Sequence, residues 1–308
     1  MLEDFDAERL TNSPVGEMEQ LIEAGNIIHF PVCPIDLPTE EEFAQLRTEL
    51  PKQLKLKNVS YHPEAGTVRG LDPESSIKDL VQSSLVNHSA RVSEFLLQRM
   101  PKLFRNALVG TCSFRPMEEQ GRNLKAHASN ELIHIDAGAY GATNGDRILR
   151  FFVNYNTTAD RVWATRGAFP ELFEQYGSAA GLDDVNASNL HKGPLGHLRT
   201  GALKGIDKLG LPVSRALDSS PYDRAMRKFH NFMKDTPSFQ SDPAGRVEMH
   251  FKPGSAWMVL TDMVSHACLS GQHCINYTAL LPLEDCQHPN LAPYNILAGS
   301  QNTSSQSA

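Results

Sequence analysis

The chain has 308 residues, 40% of them hydrophobic and 21% charged, the balance of a globular protein with a substantial buried core. Its formal net charge of −7 argues against a nucleic-acid-binding surface, so an anionic ligand requires a local group of Arg and Lys set against the overall sign. No stretch reaches the ~20 apolar residues of a membrane span, and MLEDFDAERL lacks the basic-then-apolar order of a signal peptide.

In chain order, GNIIHFPV (25–32) is a short β-branched run and a predicted first strand. PTEEEFAQLRTELPKQL (38–54) is a predicted helix, with Thr39 as N-cap and acidic residues in its first turn. KNVSYHPEAGTVRGLD (57–72) alternates and then meets Pro and Gly, which suggests a hairpin or a strand followed by a loop. From Ser89 to Leu108, Val92, Leu96, Met100, Leu103 and Ala107 recur at helical spacing, with Arg91, Arg99, Lys102 and Arg105 between them. That pattern fits a core-facing helix with a solvated basic side better than a membrane-surface helix.

TCSFRP (111–116), ELIHID (131–136), RILRFFVNYN (147–156) and RVWATR (161–166) are predicted strands divided by Gly, Asn and Pro. Residues 168 to 245 turn helical and loop-rich, and SPYDRAMRKFHNFM (220–233) is a clear helix. Strand character returns in RVEMHF (246–251), AWMVLTDMV (256–264) and CINYTALLPL (274–283), before a polar tail expected to be disordered over 299–308. Strands in two groups around a helical insertion, without βαβ alternation, predict a mostly β single domain over 1–298, closed or in two antiparallel sheets, with surrounding helices. The cysteines Cys33, Cys112, Cys268, Cys274 and Cys286 are odd in number and form no C-x-x-C, which points to a reducing, cytoplasmic setting.

His134 and Asp136 are one residue apart, so on a strand both side chains share a face. His266, just past AWMVLTDMV, is the strongest third ligand, with His250, His273 and His230 as rivals. Two His and a carboxylate on one face are the triad of non-haem Fe(II) oxygenases, with positions left open for co-substrate and O₂. In RILRFFVNYN, Arg150 shares parity with Phe152 and Asn154, so Arg150 and Asn154 are placed to hold the distal carboxylate of 2-oxoglutarate. Arg147 falls on the other face and reads as a surface residue. A zinc hydrolase would need a water-activating carboxylate of the H-E-x-x-H kind, which the sequence lacks. A non-catalytic, cupin-like metal- or sugar-binding module would keep all the fold signals.

SFRP (113–116), ELIHIDA (131–137), RILRFFVNYN (147–156), RVW (161–163), YDRAMRKFHNFM (222–233), PGSAWMVLTD (253–262) and VSHACLSGQ (264–272) together resemble the Kdo hydroxylase family, and KNVSYHPEAGTVRGL (57–71) resembles its N-terminal region. The blocks run in family order over roughly residues 25 to 295. The resemblance implies a double-stranded β-helix (jelly roll, cupin-like) core and an Fe(II)/2-oxoglutarate-dependent dioxygenase that uses O₂ to hydroxylate C3 of Kdo, the acidic sugar on lipid A of lipopolysaccharide. It implies His134, Asp136 and His266 as iron ligands, Arg150 and Thr278 at the co-substrate, and Arg115 facing co-substrate or sugar carboxylate. Arg69, Arg122 and Lys125 are further candidates for the sugar's charge.

The sequence departs from the family pattern at KAHASNE (125–131) and HCINYT (273–278), where Thr278 is retained. Iron and co-substrate chemistry therefore carry over more directly than the sugar, and a different small or sugar-acid substrate is the alternative. The implied partner is free Kdo or a Kdo-containing glycolipid. Residues 193–215 either approach that lipid, in transient contact with the inner-membrane surface, or pack on the barrel.

Overall fold

RILRFFVN is buried along both of its faces, which places it inside a sheet that is covered on each side. The protein is described here by a computed structural model covering residues 1–138, 142–190 and 220–299. Its strands are β1 (Leu2–Asp4), β2 (Ile27–Phe30), β3 (Val59–His62), β4 (Thr67–Arg69), β5 (Leu108–Arg115), β6 (Arg147–Asn154), β7 (Arg161–Thr165), β8 (Val247–Phe251), β9 (Ala256–Leu260), β10 (Ala267–Ser270) and β11 (Cys274–Leu281).

Eight of them form one sheet in the order β1-β2-β9-β6-β11-β5-β3-β4, and the other three form a second sheet, β10-β7-β8. Pairing is antiparallel throughout except between β1 and β2. The two sheets and their surrounding helices form the predicted jelly roll.

Alternation along β6 decides what meets each face. Phe151 points to the helix Lys78–Arg99, where Phe95 lies 6.1 Å from it and 5.6 Å from Phe30 of β2. Phe152 points the other way and stacks on Trp257 of β9 at 5.1 Å. From the smaller sheet, Trp163 of β7 and Phe251 of β8 approach Trp257 at 5.4 and 4.0 Å. This aromatic cluster joins the sheets near one end and leaves the other end of the space between them for polar groups.

Several expectations shift in detail. The Thr39 cap forms as a capping box with Glu42, but the helix that follows ends at Thr48, and a short turn of helix carries Pro51. The helix predicted from Ser89 starts earlier, at Lys78, because Ser84 and His88 occupy inward positions that apolar periodicity does not register. It ends before Pro101, as a helix must where the ring removes an amide donor. Its arginines are used internally: Arg91 donates to the carbonyl of Asp36 at 2.8 Å, and Arg99 to that of Leu10. Arg105, just past the helix, pairs with Asp285 at 2.8 Å.

The hairpin over 57–72 is present as β3 and β4. ELIHID, by contrast, is not a regular strand: its ladder pairing is an isolated bridge between His134 and His266. Arg147 is also corrected: it is fully buried, with Nε 2.6 Å from Asp262. Of the helical insertion, the helices Phe169–Tyr176, Ala187–Leu190, Pro221–Asp235 and Pro237–Ser241 are described. The segment 193–215, read as approaching a lipid or packing on the barrel, and the tail beyond 299 lie outside the described residues.

Candidate metal centre

Ile133 and Ile135 are each 1% exposed, and their burial in the core turns the alternate side chains His134 and Asp136 to one common side. The segment is tied to the second sheet by a bridge in which His134 N donates to His266 O at 3.0 Å and His266 N to His134 O at 2.8 Å. Asp136 N donates to Thr261 O at 2.8 Å, just beyond β9 of the larger sheet. Three residues from two places in the chain are thereby set against one another. One ligand atom from each of His134, Asp136 and His266 lies within 4.8 Å of the others.

The chemistry of this donor set fits a divalent ion. His134 Nδ1 lies 2.7 Å from Leu132 O, and His266 Nδ1 lies 3.0 Å from Val264 O. A carbonyl only accepts, so in both rings Nδ1 carries the proton and Nε2 keeps a free lone pair, the tautomer a metal requires. Burial depresses the pKa of both imidazoles, which keeps them neutral. Burial alone would raise the pKa of Asp136, but the Arg150 guanidinium, helped by a hydrogen bond from the Thr261 side chain, outweighs it and holds the carboxyl well below its usual range. Trp163 stacks on His266 at 5.3 Å and 21° and limits its rotation. Two neutral imidazoles and one carboxylate on one side of a cavity suit non-haem iron.

Arg150 reaches the same carboxylate. Its Nε donates to Asp136 Oδ2 at 2.8 Å and lies 3.3 Å from Thr261 Oγ1, and its Nη1 lies 3.3 Å from Thr278 Oγ1. Strand register explains the meeting, because Thr278 of β11 pairs directly with Arg150 of β6. A cavity of about 40 Å³ opens beside the triad, lined further by Arg115, Arg161, Asn130, Phe152, Trp163 and Cys268.

Arg115 and Arg161 flank the buried carboxylate of Glu119 at 3.7 and 3.5 Å, and Arg122 approaches it at 3.4 Å. Burial pushes the Glu119 pKa up, but the guanidiniums, Arg115 foremost, and Asn130 bring it below normal. Nε of Arg115 and Nε of Arg161 are buried with no hydrogen-bond partner among the described residues. Three arginines line this cavity against Asp136 and Glu119, so its surroundings are net positive inside an acidic protein. That is the local charge an anionic ligand needs.

The predicted residues divide. His134, Asp136, His266, Arg150, Arg115 and Thr278 come together. Asn154 does not join them: its Nδ2 donates to the carbonyls of Ala159 and Phe251 at 3.1 and 2.9 Å, and its Oδ1 accepts from Asn156 N at 3.0 Å. Its parity with Arg150 is as expected, but four residues along a strand carry it to the far end of the sheet. Among the rival ligands, His250 is exposed beside Asp160, and His273 sits in the turn before β11 with φ 56° rather than on the strand. His230 is close, its ring 5.0 Å from that of His134, but it lies outside the triad. Arg69 and Lys125 are exposed.

Arg161, Trp163 and Glu119 were not singled out by sequence reasoning. RVW carried the signal, since Arg161 and Trp163 share a strand face, but the buried partner of Arg161 lies in a distant loop.

A family model described as 3-deoxy-D-manno-oct-2-ulosonic acid (Kdo) hydroxylase matches residues 6–304. No curated protein matches the chain. Among solved structures, the apo form of the Kdo hydroxylase KdoO, a non-heme Fe(II) alphaketoglutarate-dependent dioxygenase, superposes with a TM-score of 0.77 at 25% identity, over 98% of this chain and 96% of that one. The same enzyme in complex with alphaketoglutarate and Fe(III) gives a TM-score of 0.76 at 25% identity and the same coverage of 98% and 96%. Its cobalt(II) complex also gives 0.76, 25%, 98% and 96%. The chain belongs to the Kdo hydroxylase family.

Proposed function

We propose that the protein is an Fe(II)/2-oxoglutarate-dependent dioxygenase that hydroxylates Kdo. The observation that carries this reading is the buried triad His134, Asp136 and His266, with both histidines held by backbone carbonyls in the metal-ligating tautomer. When bound, iron with 2-oxoglutarate and O₂ supplies the oxidant that places one oxygen atom in a substrate C–H bond, while 2-oxoglutarate leaves as succinate and CO₂.

The residues of the chain bind and orient. His134, Asp136 and His266 hold the metal. Arg150, with Thr278 at its Nη1, offers its guanidinium to the distal carboxylate of 2-oxoglutarate. Arg115 faces the same cavity from the end of β5, and its unpartnered Nε is suited to a second carboxylate, that of the sugar acid. Phe152 and Trp163 wall the cavity with apolar surface and exclude water.

The finer reading is hydroxylation at C3 of Kdo carried on lipid A, by a single dioxygenase domain with a helical insertion over about 168–245. It includes a cytoplasmic location with transient contact at the inner-membrane surface. No helix among the described residues is long and apolar enough to cross a membrane.

The deciding experiment incubates the iron-loaded protein with 2-oxoglutarate, O₂ and Kdo–lipid A. Succinate formation that depends on the glycolipid, with one oxygen added to the Kdo unit by mass spectrometry, is the expected result. Vigorous 2-oxoglutarate turnover over an unmodified glycolipid would point to another substrate, and no turnover by metal-loaded protein would end the oxygenase reading.

A further inference from the structure

The segment Leu132–Asp136 carries two of the three triad residues and has two edges of backbone polar groups. One edge faces His266 and Thr261 and is paired like a strand. The other edge belongs to Ile133 and Ile135, and no strand among the described residues covers it. Side chains cover it instead. Ile133 N donates to Gln240 Oε1 at 2.9 Å, and Gln240 Nε2 donates back to Ile133 O at 2.8 Å. The same Nε2 donates to Met233 O at 2.8 Å, which anchors the amide to the end of the helix Pro221–Asp235. Two positions on, His230 Nδ1 donates to Ile135 O at 2.7 Å, and the His230 ring meets the His134 ring at 79°.

The helix grips the flanks of the segment as well. Lys234 Nζ donates to Ser129 O at 2.8 Å on the N-terminal side. On the C-terminal side, Asp223 accepts from Thr143 N at 2.7 Å and from Asn144 N at 3.3 Å. The helix itself starts at a capping box between Ser220 and Asp223.

We propose that His230 and Gln240 are positioning residues for the metal, completing the open edge of the ligand-bearing segment and so setting the affinity of the triad for its ion. This inference rests on the metal reading of the triad. Ile133 and Ile135 are buried, so their backbone groups cannot turn to water when the partner is lost. The segment must then shift to find other partners, and His134 and Asp136 shift with it. Loss of such outer contacts costs metal sites on the order of 10–100-fold in affinity.

A purely structural role for the same bonds would lower stability and leave affinity alone, and that difference is measurable. Full-length His230→Phe keeps an aromatic ring against His134 but removes the donor to Ile135, while His230→Gln retains a donor. Gln240→Ala removes all three bonds, and Gln240→Glu keeps only the acceptor for Ile133 N. Ser93→Ala is the comparison, since it removes a 2.8 Å bond to Tyr277 on the far side of the large sheet.

Anaerobic calorimetric titration with Co(II), alongside the Tm of each metal-free protein, reads both quantities. His230→Phe and Gln240→Ala are expected to bind Co(II) on the order of 10–100-fold more weakly, His230→Gln to fall between His230→Phe and the parent, and Ser93→Ala to lose Tm at unchanged affinity. Parent-like affinity in His230→Phe and in Gln240→Ala, with only Tm lowered, overturns the proposal. If Gln240→Ala does not fold, folded Gln240→Glu with parent-like affinity has the same meaning. A folded parent protein that binds no more Co(II) than His134→Ala overturns the metal reading itself, a result distinct from parent-like variants.

Discussion

Arg150 Nε donates to Asp136 Oδ2 at 2.8 Å, so the arginine assigned to the co-substrate also holds the carboxylate assigned to the metal. One guanidinium thereby links the two halves of the site. Asp136 is buried and Arg150 half-buried, and a charge held away from water that loses its partner costs more than the pair contributes together. Arg150→Lys retains the charge but not the fork that serves Asp136 and Thr278 at once. Loss of a charge-assisted bond costs about 1.5–3 kcal/mol, so KM for 2-oxoglutarate is expected to rise on the order of 10–100-fold in Arg150→Lys, and further in Arg150→Ala. Succinate formation at varied 2-oxoglutarate, with iron held saturating, measures it; an unchanged KM would remove Arg150 from the co-substrate site.

The triad is tested one residue at a time. His134→Ala, Asp136→Ala and His266→Ala are each expected to reduce succinate formation to the level of metal-free protein. His250→Ala, on the exposed side of β8, is expected to retain parent activity. An inactive, folded His250→Ala beside an active His266→Ala would reverse that assignment.

Asn154 gives the opposite prediction to Arg150, although both lie on one face of β6. Its side chain bonds two carbonyls and one amide at the end of the sheet. Asn154→Ala leaves those groups unpaired, at a cost of about 1–3 kcal/mol for a buried group. A lower urea midpoint with a KM for 2-oxoglutarate within about twofold of the parent is expected; a KM shift like that of Arg150→Lys would return Asn154 to the co-substrate site.

Much of the site was readable because strand periodicity is strict. Alternation put Arg150 and Arg147 on opposite faces, and the one-residue spacing put His134 and Asp136 on the same side. Alternation does not report distance along a strand, which is why Asn154 matched Arg150 in parity and not in place. It also does not report which edges are paired, so ELIHID read as a strand although side chains complete one of its edges. β1 and β10 are too short to give a pattern, and the start of the helix at Lys78 is hidden by buried Ser84 and His88. The role of Arg161 depends on Glu119, a partner that only the fold brings near.

His88 provides a pH-dependent signature of folding. It is buried with Nδ1 2.9 Å from the Tyr155 hydroxyl, and burial, with Arg91 adding to it, pushes its pKa down to about 3. An unfolded histidine titrates near pH 6.5. Between those limits the unfolded chain binds more protons, so stability is complete above about pH 6.5 and falls on acidification, by at most ~1.4 kcal/mol per pH unit for one group. His134 and His266 act in the same direction in metal-free protein. The slope of urea stability against pH is therefore expected to decrease in His88→Gln without vanishing, and an identical slope would mean that His88 takes up its proton as readily in the fold as in the unfolded chain.

β11 is the last of the described strands in chain order, yet it lies between β5 and β6, pairing with both along its length. Until residues 274–281 are made, the large sheet has a gap at its centre, with two long apolar strands bordering it. Those unpaired borders are templates for other chains. The enzyme therefore acquires its barrel, and with Thr278 the complete setting of Arg150, only once residues 274–281 have joined the sheet. A chain stopped before β11 is an aggregation hazard rather than a smaller working version of the protein.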